Sequence, residues 1–129
     1  MIYFDMDGTI ADLYNVDNWL KYLRSEQTLP YRKARELPTM QLVRNLLNAG
    51  EELGVISWSA KNASAKYNKQ VASAKRYWLK KRGINKNVHI VKYGTPKHAV
   101  VNPIGNILID DNKEIIEQWE NNGGIGILV

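Results

Sequence analysis

The 129-residue sequence predicts an α/β fold, a single domain on a parallel five-stranded sheet, and three observations carry that expectation. Short apolar runs suited to buried strands recur at 2–5, 53–58, 88–91, 106–110 and 125–129. Between the first and second, the second and third, and the fourth and fifth lie stretches with helical apolar spacing. Three of the runs also end in carboxylates or hydroxyls, as expected of strands that deliver reactive side chains to one edge of a sheet. The length suits one domain over 1–129, with no repeat, linker or low-complexity stretch.

The first run, Ile2-Tyr3-Phe4, leads into Asp5-Met6-Asp7-Gly8-Thr9. Residues i and i+2 of an extended chain point to the same side, so Asp5 and Asp7 are expected to share one pocket, and Gly8 permits the turn away from it. Two such carboxylates repel unless a proton or a cation joins them. Mg²⁺ meets that need, because it takes oxygen ligands and leaves positions open for a phosphate oxygen.

Residues 13–38 read as a short helix and loop, with Asp17 as a candidate N-cap, an apolar set at Trp19, Leu20 and Leu23, and an interruption at Pro30. Thr39 reads as the N-cap of a helix with Met40, Val43, Leu46 and Leu47 on one face, closed by Gly50. The next strand emerges into Ser57-Trp58-Ser59, whose two serines lie on one face of an extended chain. A strand, helix and strand in this order predict a parallel, right-handed pairing of neighbours.

A long helix is expected over 63–81, with Tyr67, Val71, Ala74 and Trp78 as its buried stripe and Gly83 closing it. The remaining faces are basic: no acidic residue occurs between Glu52 and Asp110, and the net charge of +5 is concentrated there. Lys69, Lys75, Arg76, Lys80 and Lys81 form either a solvated surface or a footprint for a polyanion. After the third strand, Thr95 as N-cap and Pro96 at the first helical position place Lys97 in a helix's first turn. The dipole there disfavours a cation, so Lys97 calls for a nearby anion; His98 is expected on the surface or in packing. The fourth run ends in Asp110-Asp111, adjacent carboxylates that would be costly at a strand end without a cation or donors. Lys113 to Asn121 is amphipathic, with Ile115, Ile116 and Trp119 inward.

Asp5-Met6-Asp7-Gly8-Thr9, the strand-end serines, Lys97 and Asp110-Asp111 resemble, in order, the four motifs of the haloacid dehalogenase superfamily, and together they span Ile2 to Glu114. The resemblance implies a Rossmann-like domain with strand order 3-2-1-4-5, residues 13–38 forming a minimal lid where relatives carry a cap. It implies that Asp5 is the nucleophile of an aspartyl-phosphate intermediate, that Asp7 is the acid and base, and that Lys97 neutralises nucleophile and phosphate. Ser57, or less favourably Ser59, would hold a phosphate oxygen. Mg²⁺ would be bound by Asp5, Asp111 and the backbone carbonyl of Asp7, with Asp110 nearby or acting through water. Trp19, Tyr22 and Tyr31 are expected chiefly to pack the lid, although they could face the leaving group.

The expected function is therefore Mg²⁺-dependent phosphomonoester hydrolysis, on a nucleotide or nucleic-acid phosphate. A protein or small-metabolite phosphatase is the alternative, followed by a non-catalytic binding protein. The absence of cysteine excludes disulfides, thiolate metal sites and a cysteine nucleophile. With neither a basic leader nor a run of about 20 apolar residues, a cytoplasmic protein without membrane partners is expected.

Overall fold

The computed structural model describes residues 1–129. Its five-stranded sheet is parallel throughout, with strands β1 (Ile2–Phe4), β4 (Leu53–Trp58), β5 (Val88–Val91), β6 (Ile107–Asp110) and β7 (Ile125–Leu128). Two more strands, β2 (Ala11–Asp12) and β3 (Arg35–Glu36), form a separate antiparallel pair. The large sheet runs β5-β4-β1-β6-β7, which is 3-2-1-4-5 when only its own strands are numbered. The helices are α1 (Trp19–Arg24), α2 (Leu29–Lys33), α3 (Met40–Asn48), α4 (Ala65–Lys80), α5 (Lys97–Val100) and α6 (Lys113–Asn121).

Alternation along the strands sorts side chains into two cores. Phe4, Val55 and Ile109 pack with Met40 and Val43 of α3 and Trp78 and Leu79 of α4. Tyr3, Ile56 and Leu108 pack with Ile115, Ile116 and Trp119 of α6. Gly54 is required beside Tyr3, because a Cβ there would stand 2.6 Å from the Tyr3 ring. This two-sided burial explains why the strands read as continuous apolar runs.

Residues 13–38 fold into more than a helix and loop. A 3₁₀ turn at Leu13–Asn15, α1 and α2 make a small lid, and β2 and β3 tie its two ends together. Leu13 and Tyr31 of the lid pack on Tyr67, Val71 and Ala74 of α4. Glu26 fastens the lid further, its carboxylate accepting from the Ser64 N–H at 2.9 Å and from the Ser64 hydroxyl at 2.7 Å, where Ser64 caps α4.

Two of the expected caps are corrected. Asn18, with φ 59°, occupies the N-cap of α1 in place of Asp17. Thr39 is the N-cap of α3 as expected, without a side-chain bond to the helix. Thr95 donates to the Lys92 carbonyl, and α5 begins at Lys97 with Pro96 before it. No helix is long and apolar enough to cross a membrane.

Candidate active site

β1 ends at Phe4, and the Asp5 N–H donates to the Ile109 carbonyl at 2.9 Å, holding Asp5 beside β6. The chain then curls tightly: the N–H groups of Thr9, Ile10 and Ala11 all donate to the Met6 carbonyl, and Gly8 takes φ 82°. Gly8 is needed twice, for this positive φ and because a Cβ would collide with Asp111 Oδ2. Asp5 and Asp7 both reach the one cleft, as expected, although β1 ends before them and each carboxylate takes a different lysine.

On the α6 side of the sheet, Lys97 at the start of α5 donates to Asp5 Oδ1 at 2.7 Å and to Asp110 Oδ2 at 2.8 Å. This is the anion that a cation at that helix start requires. Asp110 Oδ1 accepts from the Asn112 N–H at 2.9 Å, so both oxygens of this buried carboxylate are engaged. Asp111 is exposed, and the Thr9 hydroxyl stands between Asp111 Oδ1 at 3.2 Å and Asp5 Oδ2 at 2.9 Å.

On the α4 side, Lys75 is fully buried and its ammonium donates to Asp7 Oδ2 at 2.6 Å, Ser57 Oγ at 2.8 Å and the Trp58 carbonyl at 2.7 Å. Lys75 was expected on the solvated basic face; it belongs to the site instead. Its position signals this in retrospect. It lies four residues after Val71 and three before Trp78, inside the stripe of α4 that faces the core. Ser57 is buried at the end of β4, while Ser59 lies just past the strand at the cleft, its N–H donating to the Val91 carbonyl at 2.7 Å.

One cleft of about 670 Å³ joins these groups, reaching Asp5, Asp7, Ser57, Ser59, Lys97, Asp110 and Asp111. It opens beyond the carboxyl ends of β1, β4 and β6, beside the point where strand order reverses, the usual place for a ligand in an open α/β sheet. Its mouth has two aromatic walls. Tyr14 and Trp19 of the lid meet edge to face at 5.1 Å, and Trp58 and Tyr93 meet at 5.0 Å on the body. Trp19 and Tyr31 line the cleft, whereas Tyr22 does not. Tyr31 also places its ring 5.2 Å from the Lys75 ammonium.

Oxygens of Asp5, Asp110 and Asp111 lie within 4.8 Å of one another, an all-oxygen set suited to a hard divalent cation. Asp111 is exposed, and Asp5 gives one oxygen to Lys97 while its other accepts only from the neutral Thr9 hydroxyl, whereas Lys97 and the Asn112 N–H hold both oxygens of Asp110 and Lys75 holds Asp7 Oδ2. The donors fit Mg²⁺, and four carboxylates set against two lysines leave a negative excess that a dication would offset. No model of a known protein family matches the chain, and no curated protein does.

The crowding is visible in the protonation equilibria. Burial, then the charge of Asp5, pushes Asp110 up to about 7 against the pull of Lys97. Burial likewise raises Asp7 and Asp111, the former opposed by Lys75 and the latter pushed further by Asp5. Burial lowers Lys97, but Asp5 and Asp110 outweigh it and its pKa rises. Tyr14 is raised by burial and by the field of Asp7, Asp5 and Asp111.

Carboxyls raised in the folded state bind protons that the unfolded chain has released, so stability should fall as pH rises from about 4 to 7. Glu26 and Glu36 are held low, by Ser64 and by Arg44 with Arg82, and act in the opposite sense only at lower pH. In EDTA the melting temperature should therefore be several degrees higher at pH 5.5 than at pH 8. Mg²⁺ at pH 8 should recover the difference in the wild type and not in Asp111→Ala, because a ligand that binds only the folded state stabilises it. A flat profile in EDTA, or equal recovery in the variant, would remove the cation site.

Proposed function

We propose that this protein is a Mg²⁺-dependent phosphomonoester hydrolase of the haloacid dehalogenase type, acting through an aspartyl-phosphate on Asp5. The observation that carries this reading is the convergence of Asp5, Asp7, Ser57, Lys97 and Asp111, from four separate places in the chain, on one cleft. In the proposed reaction an oxygen of Asp5 attacks phosphorus as the ester P–O bond breaks, and Asp7 gives its proton to the departing oxygen. Water then attacks the same phosphorus, Asp7 takes the proton, and Asp5 and inorganic phosphate are released. Lys97 neutralises Asp5 and the approaching phosphoryl group, and Ser57 donates to a phosphoryl oxygen. Mg²⁺, held by Asp5, Asp111 and the Asp7 carbonyl, would supply charge compensation for a dianion approaching a carboxylate.

A nucleotide is the substrate class this cleft favours. Its volume suits a small molecule, and the aromatic pairs at its mouth offer faces against which a base can stack. The loss of Lys75 from the basic helix face weakens the case for a long nucleic acid relative to a mononucleotide or a nucleic-acid end. A cytoplasmic setting, with no membrane partner, belongs to the same reading.

A panel of phosphomonoesters with and without Mg²⁺ tests the proposal, with Mg²⁺-dependent release of phosphate expected and nucleoside monophosphates preferred. Asp7→Asn should lose turnover by about a hundredfold or more on ribose phosphates, whose alkoxide needs a proton, and much less on p-nitrophenyl phosphate. Equal losses on both would take the acid role from Asp7. Phosphate binding without turnover on any ester would leave a binding protein.

A further inference from the structure

We propose that Lys75 is a positioning residue of this site, holding Ser57 so that its hydroxyl donates into the cleft and Asp7 so that its remaining carboxylate oxygen faces the leaving group. The inference rests on the hydrolase reading and adds a residue to it.

The argument is one of donors and acceptors. A lysine ammonium has three N–H donors and no acceptor. All three are used, on Ser57 Oγ, Asp7 Oδ2 and the Trp58 carbonyl, at 2.6 to 2.8 Å. Because Ser57 Oγ accepts from Lys75, its own hydrogen cannot point back along that bond and is left to donate elsewhere, and the cleft is the side that Ser57 reaches. A hydroxyl fixed as a donor suits a phosphoryl oxygen, which only accepts. The same ammonium holds Oδ2 of Asp7, leaving Oδ1 to exchange a proton with a substrate oxygen.

Topology makes this linkage specific. Ser57 is the penultimate residue of β4, Asp7 lies in the curl after β1, and neither is hydrogen-bonded to the other; α4 supplies the one group that joins them. A buried ion pair is weak support for stability, since an apolar residue of similar volume often does as well. A fully buried lysine shared between two groups that line the cleft is instead accounted for by their placement.

The test is a double-mutant cycle of Lys75→Met with Ser57→Ala, read in Mg²⁺ by calorimetric binding of inorganic phosphate and by kcat and KM on a ribose phosphate and on p-nitrophenyl phosphate. Each single variant should weaken phosphate binding about tenfold or more, and the double variant should be little worse than Ser57→Ala alone, since a hydrogen bond to a charged group is lost once. Lys75→Met should also lose more kcat on the ribose ester than on the aryl ester, and this excess should vanish in the Asp7→Asn background. Additive losses in phosphate affinity, or an equal fall in kcat on both esters, would overturn the inference while leaving the hydrolase intact. If Lys75→Met does not fold, the same cycle is read on Lys75→Gln; if neither folds, Lys75 belongs to the scaffold and the inference fails. A wild type that neither binds phosphate nor releases it from any ester overturns the hydrolase reading and this inference with it.

Discussion

Asp5→Asn is expected to reduce turnover by about three orders of magnitude or more, because an amide has no anionic oxygen with which to attack phosphorus. The fold should survive. Asp5 has one oxygen on Lys97 and the other on the Thr9 hydroxyl, and an asparagine oxygen can keep the first contact while its NH₂ turns to the Thr9 oxygen. The change also removes one negative charge from the cluster of Asp5, Asp110 and Asp111, offsetting part of the lost ion pair. The melting temperature should shift by only a few degrees, with the far-ultraviolet spectrum unchanged. A folded variant with turnover near the wild-type level would end the aspartyl-phosphate mechanism, whereas an unfolded one would make Asp5 a structural residue.

Lys97→Met should give the largest loss of stability. Lys97 is 3% exposed and bridges Asp5 and Asp110, and removing one member of such a buried arrangement costs about 3–5 kcal/mol, since the orphaned charge remains in place. That is a large share of the roughly 5–15 kcal/mol that holds a domain of this size together. The loss should depend on pH in a definite direction. With Lys97 present, burial and Asp5 already push Asp110 up to about 7, and losing the lysine moves it higher. A folded pKa further above the unfolded value steepens the fall in stability as pH rises through the range above about 4. Urea unfolding should therefore show a smaller deficit at pH 5.5, where Asp110 carries a proton, than at pH 8. Turnover should be lost at both pH values, because the phosphoryl group also loses its neutralising partner. An equal deficit at both would mean that the lysine acts through packing alone.

The two lysines show how much of the site was legible in the chain. Lys97 stood out because a cation in the first turn of a helix opposes the dipole and so advertises an anion. Lys75 was hidden among Lys69, Arg76, Lys80 and Lys81, which share its chemistry and remain exposed. Only the one-sidedness of α4 separates them, since Lys75 alone falls on the face that carries Val71 and Trp78. A charge in an apolar stripe was therefore a readable signal, outweighed by the number of lysines around it. The lid illustrates a different limit: β2 and β3 contribute two residues each, too short for any alternating pattern, and their pairing joins residues far apart in sequence.

What the sequence determined by itself is what local periodicity and composition can encode. Five apolar runs with helical spacing among them specified a parallel α/β sheet, and carboxylates and serines at the ends of those runs specified which edge would carry the polar cleft. Division of labour among those residues was decided only by the tertiary structure. Asp110 and Asp111 are adjacent and chemically identical, yet one is buried against Lys97 and the Asn112 N–H while the other faces the cleft beside Thr9. Asp5 and Asp7 part in the same way, toward Lys97 and Lys75. The physical reason is that a carboxylate's role follows from its solvation and its partners, and those partners come from α4 and α5, 68 and 92 residues away along the chain.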